Sequence, residues 1–186
     1  KPGTPVVVGE YNPQTAPVFR EKAGEADSPI YFADPDYRIS LAHSDTDSTC
    51  FDVGKGNEVF FRDLCTDLLG SYQSRNILSG LRALDVLTGK GYRISREHIR
   101  FGLSHVRETT GFMGRWFILQ KHPLVVCDTA HNEAGLSLNI KELERIREHN
   151  LHFVLGFVND KKLDDILALF PRHAAYYFTK ADIPRA

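Results

Sequence analysis

The stretch from Pro123 to Gly135 constrains the fold most, because it joins a β-type run directly to an amphipathic helix. The run from Leu124 to Cys127 is short, apolar and β-branched, which predicts a buried strand. Asn132 can cap the helix that follows, whose apolar positions recur at helical spacing on one face. The strand would therefore deliver Asp128 and His131 to its carboxyl end, the edge at which open α/β sheets bind ligands.

Taken alone, this strand-to-helix turn has two interpretations. The amino terminus of a helix favours anionic groups, so the turn is a candidate ligand site. An Asp at such a turn is also often only a cap, and a His beside it is often bonded only to the backbone. Motifs elsewhere in the sequence are needed to choose between these two interpretations.

Strand-like and helix-like segments alternate over much of the sequence. Strand-like runs occupy residues 5–9, 29–33, 115–119, 124–127, 152–158 and 174–179, and helical patterns lie between several of them, notably at 16–23, 133–147 and 163–170. This alternation predicts an α/β fold, and in the second half it predicts a right-handed parallel sheet.

The region from Tyr37 to Leu69 has a different pattern, in which polar and apolar residues alternate. Gly54 to Asn57 separates two such runs, which predicts a β-hairpin. The Gly-Lys-Gly within that turn lacks the G-x-x-x-x-G-K-[ST] spacing of a phosphate loop, and no such run occurs from Lys1 to Ala186.

Two helices are predicted between the hairpin and the second half. A long one follows Leu69, with an apolar stripe at Ile77, Leu81 and Leu84. Ser95 can cap the next helix, although His98 in place of an acid or amide argues against a capping box. The Thr- and Gly-rich stretch 109–114 is the predicted linker.

Composition excludes several classes of protein. The length of 186 residues allows one domain or two small ones, and a net charge of −1 gives no basic field for nucleic acid. The chain lacks an apolar run of the roughly 20 residues that span a bilayer, and its start lacks the apolar region of a signal peptide. Three cysteines without CxxC spacing indicate neither a disulfide framework nor a zinc site, so a reducing cytoplasm is predicted.

Several blocks together resemble folylpolyglutamate synthase, often bifunctional with dihydrofolate synthase, of the Mur ligase superfamily. They occur in the family order and cover nearly the whole chain, with Phe117 and Lys162 as departures from the usual pattern. The blocks are residues 1–9, 69–76 (Leu-Gly-Ser-Tyr-Gln-Ser-Arg-Asn), 110–116 (Thr-Gly-Phe-Met-Gly-Arg-Trp), 128–132 (Asp-Thr-Ala-His-Asn) and 156–161 (Gly-Phe-Val-Asn-Asp-Lys).

The resemblance implies an α/β architecture in which the end of the Mur ligase central domain is followed by part of a Rossmann-like Mur ligase C-terminal domain. Residues 1–110 would be the C-terminal part of the ATP-binding central domain, and residues 111–186 the N-terminal part of the C-terminal domain. Both ends of the sequence look cut from a longer protein, so the phosphate loop and the Mg²⁺ ligands are expected outside this chain.

The family reaction implied by the resemblance is the ATP-dependent ligation of L-glutamate to a folate or dihydropteroate carboxylate through an acyl phosphate. ATP and Mg²⁺ would be the cofactors and the folate or dihydropteroate and glutamate the substrates, in a cytoplasmic, monomeric parent protein without nucleic-acid or membrane partners. The chain by itself is expected to be inactive.

The resemblance also implies roles for five residues. Arg115 would contact the ATP phosphates, Asn76 would bind the adenine edge, and Asp128 would accept from the ribose hydroxyls or orient neighbouring groups. His131 and Asn132 would face the phosphate and glutamate end. No catalytic residue and no metal ligand is assigned. Four of the roles have a structural alternative: a helix cap for Asn76 and Asp128, a surface ion pair for Arg115, and packing or capping for His131.

Two other functions stay open at this point. A Mur-type ligase of UDP-N-acetylmuramoyl precursors shares the Asp-x-Ala-His pattern, although the Gly-Arg-Trp junction and the 157–161 block favour the folate branch. A nucleotide-binding module without catalysis is the alternative from a different class.

Overall fold

The computed structural model describes residues 1–70, 72–144, 146, 150–157, 163–180 and 182. The chain forms two compact units, Lys1–Met113 (unit 1) and Gly114–Ala186 (unit 2). The assignment of 1–110 and 111–186 to two family domains stays a prediction.

Unit 1 combines a small parallel sheet, an antiparallel sheet and four helices among the described residues. Its elements in chain order are β1 (Val6–Val8), α1 (Ala16–Glu25), β2 (Ile30–Phe32), β3 (Tyr37–Ser44), β4 (Thr49–Lys55), β5 (Glu58–Thr66), α2 (Gln73–Gly89), α3 (Arg96–Ser104) and α4 (Val106–Thr110). Strands β1 and β2 pair in parallel, with Val6 opposite Ile30. Strands β3, β4 and β5 pair antiparallel in that order, and the predicted hairpin is β4–β5. Its turn contains Gly56 at a φ of 58°, a left-handed conformation that glycine adopts without steric cost.

The core of unit 1 forms where α2 packs against the antiparallel sheet. The predicted stripe is buried at Ile77 and Leu81, which are 4% and 2% exposed. They join a cluster that includes Phe51 and Leu64 from the sheet. Removal of this apolar surface from water is the main stabilising term for the unit.

Unit 2 contains two two-stranded sheets and two helices within its described residues. Its elements are β6 (Phe117–Lys121), β7 (Leu124–Cys127), α5 (Glu133–Leu143), β8 (His152–Gly156), α6 (Leu163–Leu167) and β9 (Ala175–Thr179). Strands β8 and β9 pair in parallel, as predicted, while β6 and β7 pair antiparallel. Leu136, Ile166 and Phe170 form the buried centre of this unit.

The prediction of a strand from Leu124 to Cys127 is confirmed, but the prediction that this strand is buried is wrong. The strand exists, but Leu124 and Val125 are 41% and 39% exposed, and Cys127 is exposed as well. Apolar β-branched residues specify an extended backbone locally, whereas burial needs a second layer of structure over the strand. In the described residues, β7 forms only a ribbon with β6, so its side chains keep contact with water.

Two predicted boundaries also differ from the structure. Thr109 and Thr110 belong to α4, so the linker begins only at Gly111, which ends that helix with a φ of 65°. Helix α5 ends at Leu143 rather than near Arg147, and residues 145 and 147 lie outside the described residues. The same holds for residues 158–162, which include most of the Asp-Lys block and Lys162.

The prediction that the cysteines form no disulfide is wrong for two of them. Cys50 of β4 and Cys65 of β5 are joined by a disulfide, while Cys127 is not bonded to another cysteine. The two positions lie directly opposite each other in the β4–β5 register. Their separation of 15 residues gives no sign of this pairing, because it depends on where the hairpin turns.

The rejection of a capping box at Ser95 is also wrong. The Ser95 hydroxyl accepts a hydrogen bond from the backbone N–H of His98, and His98 Nδ1 accepts one from the backbone N–H of Ser95, at 3.2 and 3.3 Å. A neutral imidazole nitrogen is an acceptor like the carboxylate usually found there, so His98 completes the box.

Within the part of the chain that the structure describes, each helix is too short or too polar to cross a membrane.

Candidate functional site

The candidate site of unit 2 lies where β7 ends and α5 begins. Asn132 is the N-cap of α5, and its Oδ1 accepts a hydrogen bond of 2.8 Å from the backbone N–H of Gly135. This confirms the predicted cap and commits the amide oxygen of Asn132 to it. The Nδ2 group is the part of this side chain that the cap does not use.

Asp128 joins this turn to the start of the unit. Its Oδ2 accepts from the backbone N–H of Trp116, and its Oδ1 accepts from the backbone N–H of Ala130, both at 2.7 Å. Trp116 is buried and has a φ of 44°, which is unusual for a residue with a large side chain. Asp128 therefore stabilises the conformation of two segments at once.

Thr129 makes a second set of hydrogen bonds in this region. Its backbone N–H and its hydroxyl both donate to the carbonyl oxygen of Gly114, at 3.2 and 2.8 Å. The same hydroxyl accepts a hydrogen bond of 3.0 Å from Nη1 of Arg115. A Cβ at Gly114 would lie 3.2 Å from Thr129 Cγ2 and Oγ1, so glycine permits this close approach. Thr129 thus fixes one side of the Arg115 guanidinium.

His131 is exposed beside the same turn. Its Nδ1 lies 3.1 Å from the carbonyl oxygen of Thr129. A carbonyl can only accept, so this bond requires the hydrogen on Nδ1 and leaves Nε2 as an acceptor in the neutral ring. The backbone therefore sets which nitrogen of His131 can meet a ligand.

The structure thus brings four of the five predicted site residues together in unit 2. A guanidinium held by Thr129 lies on the loop that Asp128 fastens to the start of α5, a helix of 11 residues. A forked cation and the backbone N–H groups of a helix start both favour phosphate or carboxylate oxygens. The arrangement is chemically suited to an anionic ligand.

The fifth residue, Asn76, lies on α2 of unit 1. Its Nδ2 donates a hydrogen bond of 2.8 Å to Oε1 of Gln73. Gln73 is 1% exposed, and its own Nε2 donates to the carbonyl oxygen of Leu69. Gln73 therefore fixes the orientation of the Asn76 amide.

Asn76 also lines a cavity of about 460 Å³ inside unit 1. The walls come mainly from apolar residues of α2 and α3 and the segments before them, among them Ile77, Leu81, Leu84, Ile99 and Leu103. An apolar cavity with two amide side chains at its wall, those of Gln73 and Asn76, fits a flat heterocycle whose faces are apolar and whose edge is polar.

Sequence reasoning missed the roles of Thr129 and Gln73. Both lie inside the quoted blocks, and a search there for side chains able to bond a neighbouring functional residue would have found them. The spacing of Gln73 and Asn76, three residues apart on a helix, was the available signal for their contact. The contact of Thr129 with Arg115 joins residues 14 apart, and spacing alone does not reveal it.

The candidate site residues supply Mg²⁺ with a single carboxylate, that of Asp128. Both Asp128 oxygens already accept backbone hydrogen bonds. Among the described residues, one group of three His, Cys, Asp or Glu side chains lies close enough to share a metal ion, namely His43, Cys50 and Cys65. Sulfur and imidazole are poor ligands for Mg²⁺, which binds oxygen, so this group does not suit Mg²⁺.

Comparison with known proteins confirms the resemblance seen in the sequence. No protein-family model matches the chain. The dihydrofolate synthase/folylpolyglutamate synthase of Bacillus subtilis is 26% identical over 189 positions, which cover 100% of this chain and 43% of that protein. The chain therefore spans less than half the length of this relative.

The solved structures that are similar to this chain include folylpolyglutamate synthases as well. A folylpolyglutamate synthase from Thermotoga maritima is 27% identical, with a TM-score of 0.72, and the match covers 100% of this chain and 42% of that one. The Mycobacterium tuberculosis folylpolyglutamate synthase, solved with ADP, shares the fold at 24% identity and a TM-score of 0.73, with 96% and 39% covered. The predicted α/β class is confirmed: the chain has the fold of the corresponding part of folylpolyglutamate synthases.

Proposed function

We propose that this chain supplies the adenine contact and a phosphate contact of an ATP-dependent ligase that joins L-glutamate to a folate or dihydropteroate carboxylate. The observation that carries the proposal is the fixed guanidinium of Arg115 on the loop that Asp128 fastens to the start of α5. The names of the B. subtilis and T. maritima relatives support the reaction class. The chain spans less than half of these relatives, so the activity is proposed for a protein that contains this chain, here called the full enzyme.

In the proposed reaction, a carboxylate oxygen of the acceptor attacks the γ-phosphorus of ATP, and the bond from that phosphorus to the β–γ bridging oxygen breaks. ADP leaves, and an acyl phosphate remains. The amine of glutamate then attacks the acyl carbon, loses a proton, and phosphate leaves as the carbon–oxygen bond breaks. Such phosphoryl transfer depends mainly on positioning and on neutralising charge on the phosphate oxygens.

Arg115 would serve this reaction by neutralising charge. A guanidinium group is cationic and offers several donors in one plane. Nη1 donates to the Thr129 hydroxyl and, at 3.4 Å, to the carbonyl oxygen of Gly114, which orients the group without removing its charge. The remaining donors suit the oxygens of a transferring phosphoryl group.

His131 and Asn132 would act at the same end of the nucleotide. Their backbone-directed bonds leave Nε2 of His131 and Nδ2 of Asn132 for the phosphate and glutamate. Asp128 would act chiefly by holding the loop, because its oxygens bind Trp116 and Ala130.

Asn76 would bind adenine from unit 1. An amide pairs with the N6 and N7 edge of adenine by donating one hydrogen bond and accepting another. Gln73 orients that amide at the wall of the apolar cavity, where the ring could be covered. A protein of the same fold binds ADP, which agrees with this assignment.

Replacing Asn76 with alanine should raise the KM for ATP of the full enzyme by roughly tenfold or more, because a good bidentate contact to adenine is worth about 1–3 kcal/mol. The turnover number at saturating ATP should change little. The matched control is Thr88→Ala, an exposed polar residue near the other end of α2. An unchanged KM in Asn76→Ala would refute the adenine role.

The chain by itself should hydrolyse no ATP and bind it only in the millimolar range, about −4 kcal/mol. The reason is that no G-x-x-x-x-G-K-[ST] run occurs between Lys1 and Ala186. This chain therefore lacks the phosphate-binding loop whose backbone N–H groups would hold the β- and γ-phosphates. Isothermal titration calorimetry of the chain with magnesium and ATP measures this. Micromolar binding would show that the nucleotide site is complete without further segments.

We further propose the domain assignment 1–110 and 111–186 and a monomeric full enzyme. A cytoplasmic location is proposed as well, and there the Cys50–Cys65 disulfide would be a reducible bond. The alternative of a cell-wall ligase is less well supported, because the relatives described above carry folate names. The other alternative, a nucleotide-binding module without catalysis, predicts that the protein containing this chain binds ATP but attaches no glutamate to folate or dihydropteroate.

A further inference from the structure

Three potential metal ligands lie in a row across the antiparallel sheet of unit 1. His43 of β3 is opposite Cys50 of β4, and Cys50 is opposite Cys65 of β5. Residues directly opposite each other in a sheet project to the same face, so the three side chains are neighbours. One ligand atom from each, a ring nitrogen and two sulfurs, lies within 4.8 Å of the others.

The three side chains differ in their exposure to solvent. Cys50 is 1% exposed and Cys65 is partly buried, whereas His43 is exposed. A metal ion held here would therefore have sulfur ligands on the protein side and access from solvent on the imidazole side.

The carboxylate of Asp63 lies beside the ring of His43. Its Oδ1 lies 3.6 Å from Nδ1 of His43. The backbone of Asp63 is itself fixed, because its N–H donates to Asp52 and its carbonyl oxygen accepts from Arg100. Asp63 therefore lies on the Nδ1 side of the ring, the position from which a carboxylate supports a metal-binding histidine.

We propose that reduction of the Cys50–Cys65 disulfide opens a binding site for a borderline-soft divalent ion such as Zn²⁺. The ligands are the two cysteine sulfurs and a ring nitrogen of His43, with water in the fourth position of a tetrahedral site. This donor set selects zinc-like ions over Mg²⁺ and Ca²⁺. The site is separate from the proposed nucleotide contacts and does not depend on them.

The chemistry balances with a dithiol as the reductant. The dithiol gives two electrons and two protons to the disulfide, becomes a disulfide itself, and leaves two thiols on the protein. Metal binding then releases both thiol protons to solvent, because the thiolate is the ligand. Disulfide and metal site exclude each other, so the redox state of the cysteine pair controls binding.

Cobalt titration of the whole chain tests the proposal. The background variant is Cys127→Ser, which removes the exposed third cysteine. After anaerobic reduction with a phosphine, one Co²⁺ should bind per chain with a thiolate-to-cobalt charge-transfer band, and one equivalent of Zn²⁺ should remove that band. The same protein with its disulfide intact should show no band.

Variants separate the site from nonspecific binding. Cys65→Ser should abolish the band, and His43→Ala should weaken Co²⁺ binding at least tenfold, while His122→Ala, which changes an exposed histidine of unit 2, should leave it unchanged. A thermal melt of each variant checks that it is folded. The proposal is overturned if the reduced protein gives no band, or if His43→Ala or the disulfide form binds Co²⁺ as tightly as the reduced protein.

Discussion

Replacing Arg115 with alanine should lower ATP-dependent glutamate ligation by the full enzyme by roughly two orders of magnitude or more. Loss of a charged contact that strengthens in the transition state has effects of this size. Thr129 holds the guanidinium beside the turn that begins α5, so the lost charge is one that the fold has positioned. The turnover number at saturating substrates is the quantity to measure.

Two further variants distinguish this role from a structural one. Arg115→Lys should restore only part of the activity, because an ammonium group keeps the charge but loses the forked geometry. Arg172→Ala removes an exposed arginine from the same unit and should leave turnover unchanged. Normal turnover in Arg115→Ala would exclude the proposed phosphate contact.

Replacing Asp128 with asparagine should destabilise unit 2 by about 1–3 kcal/mol, because one backbone N–H would face an amide NH₂ and lose its acceptor. Trp116 and Ala130 are the two donors concerned. Activity should fall as well, since Arg115 lies on the segment that Asp128 holds. Chemical denaturation of the chain gives the change in stability.

The comparison variant for Asp128 is Asp165→Asn, which changes an exposed carboxylate on α6 and should alter stability by less than about 0.5 kcal/mol. If Asp128 acted only as a ribose ligand, Asp128→Asn would raise the KM for ATP and leave the unfolding curve unchanged. That result would contradict the proposal that Asp128 stabilises the loop through its hydrogen bonds to Trp116 and Ala130.

Local patterns predicted much of the fold. The stripe on α2, the β4–β5 hairpin and the Asn132 cap depend on residues close in sequence, and the structure contains all three. The turn carrying Asp128 and His131 was found in the same way, because a strand followed at once by a capped helix is a local signal.

The features that sequence reasoning missed depend on contacts between distant segments. The Cys50–Cys65 disulfide requires the register of two strands, and the exposure of β7 requires knowledge of which layer covers it. The bonds from Thr129 to Gly114 and Arg115 join residues about 15 positions apart. No periodicity encodes such pairings, because they arise only when the elements have packed.

The proposed assignment of the site residues is tested most directly by one assay of the full enzyme. It measures ADP release and the attachment of labelled glutamate to dihydropteroate or folate, in the native protein and in Arg115→Ala. We expect one ADP for each glutamate attached, and both products should fall together by roughly a hundredfold in the variant. Glutamate attachment by Arg115→Ala at the native rate, or ATP hydrolysis by the native protein without glutamate attachment, would contradict the proposal.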